Sequence, residues 1–157
     1  MKNRNKAVPA VYLLLYKDDK ILVGRRCNTG YEDGHYQIPS GHAEEGEVPT
    51  EAIIRESKEE VGVDLNPEDL ELVHVGYRPK HDETGDRVDF FFRPRKWSGE
   101  VVNMEPDKCD DLKWVPIKDL PENMTLHVRK GIEAIEKGVS FQEITIQMLK
   151  EAGLYLL

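Results

Sequence analysis

An α/β fold, with a mixed sheet held between helical layers, is what this sequence predicts, and three observations predict it. Short apolar runs bounded by turn formers lie on both sides of one acidic segment, that segment has helical spacing, and two further helical patterns close the chain. With 157 residues the chain fits a single domain over residues 1–157, a size that buries roughly 70% of its unfolded surface and so sustains a core.

Ala7 to Tyr16 and Ile21-Leu22-Val23 are the first two apolar runs, and Lys17-Asp18-Asp19-Lys20 between them reads as the polar turn of a hairpin. Basic residues ahead of the first run imitate a secretory leader, but no small-residue cleavage pattern follows. No stretch approaches the ~20 apolar residues of a membrane span, so a cytoplasmic protein without membrane contact is expected. Asn28 to Gly34 is dense in turn formers and predicts a loop, after which HYQIPSGH predicts a short strand running into Gly41. Pro49 suits the first turn of a helix, Glu51 favours its positive end and Gly62 stops it, which places a helix over residues 49–61. Its packing side includes Ala52, Ile53, Ser57 and Val61, while Val48 is a poor residue for the N-cap.

LELVHVGYRP and RVDFFFRPRKW flank a turn-rich KHDETGD and predict two strands, with Phe90-Phe91-Phe92 in the core of the second. LKWVPIKDLP predicts a last strand that ends at a proline-marked turn. HVRKGIEAIEKG and SFQEITIQMLKEAGLYLL show helical spacing, through Ile132, Ile135 and Val139 and then through Ile144, Met148 and Leu149. Both are expected to pack on the sheet, and the apolar end Leu154 to Leu157 is the alternative contact for another subunit. A monomer and a homodimer both stay open.

The net charge of −8 disfavours a grip on nucleic-acid polymers, whose affinity comes mostly from Lys and Arg neutralising phosphates. The interleaved basic and aromatic residues of RVDFFFRPRKW are therefore read as a strand with solvated arginines. A small nucleotide carried in with its metal remains compatible. The two cysteines, Cys27 and Cys109, lie far apart with no Cys/His ligand spacing, which excludes a zinc motif and a disulfide framework.

The predicted helix concentrates charge on one side. At about 3.6 residues per turn, Glu56 stands one turn from both Glu59 and Glu60, so the three carboxylates share a face. Like charges at that spacing destabilise a helix by roughly 0.2–0.5 kcal/mol per pair, and a hard cation reverses the sign. Mg²⁺, or Mn²⁺ as its substitute, prefers oxygen donors and completes its octahedron with waters and substrate phosphates. Glu47, ahead of the helix, can return to pair with Arg55 and hold the metal-binding turn. A merely solvated Glu-rich face is the competing reading, and the frame around the charges decides against it. That frame is Gly41, five residues, Glu47, seven residues, Arg55-Glu56, two residues, Glu59-Glu60, one residue, Gly62.

The stretch from Gly41 to Val63 resembles the Nudix box, the signature of hydrolases acting on nucleoside diphosphates linked to another group. Every charged and glycine position of that signature is filled; Ser57 stands where the family usually places an apolar residue, and Ser40 where many relatives carry glycine. The resemblance implies a Nudix α/β/α sandwich with a mixed sheet. It also implies metal-dependent hydrolysis of a pyrophosphate bond, with MutT-like conversion of a nucleoside triphosphate to monophosphate and pyrophosphate as the leading expectation. It implies Glu56, Glu59, Glu60 and the carbonyl of Gly41 as metal ligands, with Glu56 also acting on the attacking water. Which glutamate is ligand and which is base stays open.

Glu105, in MEPDKC, is placed like the glutamate of MutT-type enzymes that reaches the metal cluster, and is the candidate outlying ligand or base. An exposed loop residue is the alternative. Strand alternation points Arg25 and Arg26 to opposite faces, and by resemblance Arg26 is the phosphate contact. Tyr36 and Ile38 are candidate walls of a base pocket, with a core role as the alternative. His42 is a candidate phosphate contact, with a surface role as the alternative. His35, His74, His81 and His127 show no metal-like clustering and are assigned structural roles. Tyr77 and Pro79 fall where some dinucleoside-polyphosphate and ADP-ribose hydrolases carry a characteristic Tyr or Pro. The alternative function is a Nudix-fold module that binds a nucleotide without hydrolysing it, whose hallmark, lost box carboxylates, is not met here. A Ca²⁺-binding structural domain ranks lower, because DETGDRVD lacks the full EF-hand pattern.

Overall fold

Strand β1 (Ala7–Leu13) is buried on both faces, and that fixes the layering of the molecule, whose computed structural model describes residues 2–157. Along β1 and the two residues after it, side chains alternate between two cores. Ala10, Tyr12 and Leu14 meet Phe91, Val128 and Ile132, whereas Val11, Leu13 and Leu15 meet Ala52, Ile53, Val61 and Phe92. The first core lies under helix α2 (Leu126–Glu136) and the second under helix α1 (Pro49–Val61), so the two helices cover opposite faces. This is the expected mixed α/β class with helical layers about a mixed sheet.

That sheet has five strands in the order β5 (Ser40–His42), β1, β7 (Asp86–Pro94), β6 (Leu70–Arg78) and β9 (Phe141–Glu143). The β1–β7 and β6–β9 pairs are parallel and the others antiparallel. A second, antiparallel sheet is built on β3 (Lys20–Arg26), which pairs with β8 (Cys109–Pro116) along its length and with β2 (Tyr16–Lys17) and β4 (Tyr36–Gln37) near its two ends.

This two-sheet arrangement corrects three expectations. The first apolar run is not one arm of a hairpin: the chain changes sheet at Leu14-Leu15, where Leu14 donates to the Phe92 carbonyl and Leu15 accepts from the Leu22 amide. Only Tyr16-Lys17 folds back on β3. HYQIPSGH is likewise split, because Pro39 has no N–H for a ladder; β4 joins the second sheet and β5 the first. The final apolar pattern yields a strand as well as a helix: Phe141–Glu143 becomes β9, and the helix shortens to α3 (Ile146–Glu151). Val139 lies past α2 and is exposed. Among the described residues no helix is long and apolar enough to cross a membrane.

Helix α1 spans the expected residues and buries the expected Ala52, Ile53, Ser57 and Val61. Gly62 ends it in the left-handed region at φ 75°, where its amide donates to the Lys58 carbonyl at 3.2 Å. Val48 has no side-chain acceptor, and the Glu51 carboxylate instead accepts the Val48 amide at 3.2 Å, which is half of a capping box. Ser57 is fully buried and its hydroxyl has no hydrogen-bond partner. A buried orphan hydroxyl costs about 1–3 kcal/mol, so Ser57→Ala is expected to raise the free energy of unfolding by an amount within that range, read as a higher denaturant midpoint at an unchanged m-value.

Candidate active site

Helix α1, strand β5 and the loop Asn103 to Lys108 enclose a cleft of about 510 Å³. Gly41, Glu56, Glu59, Glu60 and Glu105 all line it, so the fold brings together acidic residues that the sequence spreads over 50 positions, from Glu56 to Glu105. Arg55 holds this face. Its Nε and Nη2 donate to the two oxygens of Glu47 at 2.8 and 3.0 Å, and Nη1 donates to Glu56 at 2.9 Å and to Glu59 at 3.3 Å. Nη2 also reaches the His42 carbonyl at 3.2 Å, while Glu47 accepts the Glu44 amide at 3.0 Å. The loop before α1 is thus fastened to the helix by one guanidinium. Hydrogen bonds from Arg55 hold the Glu47 carboxyl down at about 2.

Gly41 matters through proximity, not its backbone angle: a Cβ there would lie 2.1 Å from the Glu56 carboxyl carbon, so any larger residue would displace that carboxylate. Ser40 needs no positive φ, which answers the departure noted in the sequence, and its amide donates to Glu60 at 3.2 Å. Burial, and then the charge of Glu56, push the Glu60 carboxyl up to about 8, against the pull of that amide. Burial also raises Glu56; Arg55 opposes the shift and Glu59 and Glu105 add to it.

The carboxylates therefore outnumber the positive charge that serves them, and those of Glu56 and Glu60 have been taken out of water. Their donors are all oxygen, which suits a hard divalent cation. Among the described residues, no three His, Cys, Asp or Glu side chains are already arranged to hold a metal ion. Arg55 is paired with both Glu56 and Glu59, and Glu59 is half exposed.

The other candidates divide. Arg26 lines the cleft, held by the Tyr31 carbonyl at 2.7 Å and the Thr29 hydroxyl at 3.0 Å. Arg25 lines it too, tied to Asp110 at 2.7 Å, so the two arginines are less segregated than alternation implied. Tyr36 is not a pocket wall: it is buried in the core with its hydroxyl on Asp111, and Arg25 and Lys113 stand over its ring. Ile38 is both core and cleft lining. Glu105 lines the cleft, with Lys108 3.7 Å from its carboxylate.

His42 does not line this cleft but an adjoining cavity of about 380 Å³, which shares Arg26, Gln37, Ser40, Gly41 and Glu60 with it. Arg78, His81, Arg87 and His127 border that cavity, and sequence reasoning missed all four as site residues. Arg87 had been read as solvated and the two histidines as structural. The overlooked signal was Asp89, a charge within the apolar stretch of β7, which forms a buried ion pair with Arg78 at 2.7 Å. Tyr77 donates to Asp86 and lines neither cavity.

A model of the NUDIX domain matches residues 6–135. The chain belongs to the Nudix hydrolase family. It is 30% identical over 117 residues to the NAD-capped RNA hydrolase NudC of Pseudomonas putida, covering 72% of this chain and 38% of that protein. It is 32% identical over 116 residues to the ADP-ribose pyrophosphatase of Methanocaldococcus jannaschii, covering 73% of this chain and 66% of that one. The chain spans less than half the length of the NudC relatives it matches. Among solved structures, a MutT NUDIX hydrolase from Burkholderia pseudomallei superposes with a TM-score of 0.74 at 26% identity, covering 82% of this chain and 98% of that one.

Two outcomes check the geometry of this Nudix cleft. Arg55→Lys keeps the charge but loses the fork to Glu47, so kcat should fall by about ten-fold or more while KM changes by no more than about three-fold. Steady-state kinetics separate the two, and a change confined to KM would contradict the fastening role. Glu60→Gln should raise the melting temperature of the metal-free protein at pH 9 and leave it nearly unchanged at pH 5. A carboxyl whose folded pKa is raised loses its folded-state advantage as pH climbs from its unfolded value toward about 8, and glutamine does not ionise.

Proposed function

We propose that residues 1–157 act as one Mg²⁺-dependent pyrophosphohydrolase domain on a nucleoside diphosphate derivative, with a nucleoside triphosphate cut to monophosphate and pyrophosphate as the leading substrate. The observation that supports this most is the convergence of Glu56, Glu59, Glu60 and Glu105 on a cleft bordered by Arg26 and Lys108. Retention of every box carboxylate argues against a binding module that has lost catalysis.

In this reading Arg26 and Lys108 bind phosphate oxygens as the substrate enters. Glu56, Glu59, Glu60 and the Gly41 carbonyl hold the divalent cation, which when bound neutralises phosphoryl charge and acidifies water. Water attacks one phosphorus and the bridging P–O bond breaks. Glu56, whose raised affinity for a proton suits a base, accepts the proton of the attacking water. Arg55 touches no substrate; it positions Glu47 and Glu56. Glu105 reaches the reacting group from its Pro106-flanked loop, and its contribution grows as that loop closes.

The names of the relatives favour substrates with one shared element. ADP-ribose and an NAD cap each contain a pyrophosphate bridge between two substituents, so a diphosphate ester of that type is the second reading. The acidic balance of the chain opposes a grip on RNA beyond such a cap.

A panel of nucleoside triphosphates, ADP-ribose, NAD and NAD-capped RNA, incubated with Mg²⁺ or Mn²⁺ and assayed for product, tests this directly. Turnover is expected for at least one member and should vanish with a chelator. Glu56→Gln should lower kcat about a hundred-fold or more, and Glu105→Gln much less. Absence of hydrolysis across the panel would sink the enzymatic reading.

A further inference from the structure

We propose that the cavity beside the acidic cleft is a subsite for a second acidic group of the substrate, a phosphate set apart from the pyrophosphate that is cut. The inference rests on the diphosphate reading of the cleft and adds a substrate class to it.

Three arginines from three strands border this cavity: Arg26 of β3, Arg78 of β6 and Arg87 of β7. Asp89 matches Arg78, accepting from its Nε at 2.7 Å and its Nη2 at 3.0 Å. Arg87 has no such match. It is 6% exposed, and among the described residues it forms no ion pair. Its Nη1 donates to the Gly85 and Asp86 carbonyls at 2.8 and 3.3 Å, and its Nη2 to the Thr84 hydroxyl. Those neutral acceptors satisfy its hydrogen bonds, and its charge is felt by the Asp82 and Asp86 carboxylates without forming an ion pair with either, which leaves it open to a closer anion.

A second, independent feature lies on the same wall. His81 is 3% exposed, its Nε2 is 3.2 Å from the Tyr31 hydroxyl, and its Nδ1 has no hydrogen-bond partner. That nitrogen is itself shielded from the cavity, so it marks an unsatisfied polar group within the wall. The opposing charge at this wall is Asp82, whose Oδ1 is engaged by the Thr84 amide at 2.8 Å and by its hydroxyl. Three guanidiniums thus face three carboxylates, those of Asp82, Asp89 and Glu60, and a cation held by Glu60 on the shared wall would leave the arginines in excess. Burial first, and then the charge of Arg78, lower the affinity of His127 for a proton.

The cavity is poorly suited to stacking a nucleobase. The Tyr12 ring stacks on Phe91 at 4.8 Å and receives the edge of His127, and Arg26 already lies over the Tyr31 ring. Its shared walls with the cleft, at Gly41 and Glu60, let one molecule place a pyrophosphate on the acidic face and a further phosphate among the arginines.

Calorimetric titration with ligands that contain no phosphoanhydride tests this without turnover. The ligands are the 5′-monophosphates of adenosine and guanosine and their 2′,5′- and 3′,5′-bisphosphates, with Mg²⁺ present. At least one bisphosphate is expected to bind wild type about ten-fold or more tightly than its monophosphate. Arg87→Gln should abolish that difference while its circular dichroism remains that of the wild type. Equal affinities in wild type, absence of bisphosphate binding, or a preference that survives in Arg87→Gln would each overturn the proposal. The wild-type comparison stands even where the variant fails to fold. Because nothing is hydrolysed, its failure is separable from failure of the substrate panel.

Discussion

Glu47, Glu56 and Glu59 share one guanidinium, that of Arg55 midway along α1, and the rest of the site is arranged around that imbalance. Arg55 satisfies Glu47 with two hydrogen bonds and still reaches Glu56, Glu59 and the His42 carbonyl. It cannot neutralise them all, and Glu60 is left without a basic partner among the described ion pairs, its carboxyl raised to about 8 by burial and by Glu56. Such an arrangement is costly for an isolated protein and becomes favourable when a divalent cation enters. The loop before the helix, the absent Cβ at Gly41 and the amide of Ser40 all serve to hold the acids at this separation from one another.

The two cores explain how so polar a face can be held firmly. Ala52, Ile53 and Val61 anchor α1 to the side of β1 that carries Val11 and Leu13, so the opposite side of the helix can be given over to charge. The other side of β1 packs under α2, and at its end Tyr12 borders the adjoining cavity. One strand thus supports the acidic helix on one face and the arginine-lined cavity on the other.

Much of this was legible in the sequence because it was local. Helix α1 follows from Pro49, Gly62 and the periodicity between them, and the grouping of Glu56, Glu59 and Glu60 follows from helix geometry. What was not legible depends on which strands become neighbours. The change of sheet at Leu14-Leu15 leaves no mark in an unbroken apolar run, and β9 lies inside a pattern that also fits a helix. Arg78, His81, Arg87 and His127 come from separate elements and meet only when β6 and β7 pair and α2 packs across them. For Tyr36 the sequence leaves pocket wall and core both open, and its packing in the first core selects the second.

Direct measurement of cation binding tests the central claim, that the crowded face of α1 is a divalent-metal site held by the helix itself. Titration of Mn²⁺ followed by electron paramagnetic resonance reports free ion without requiring turnover or substrate. The account predicts that wild type and Glu105→Gln bind Mn²⁺ alike, because Glu105 belongs to a loop, and that Glu56→Gln binds it at least about ten-fold more weakly. Equal Mn²⁺ affinity in wild type and Glu56→Gln would contradict it.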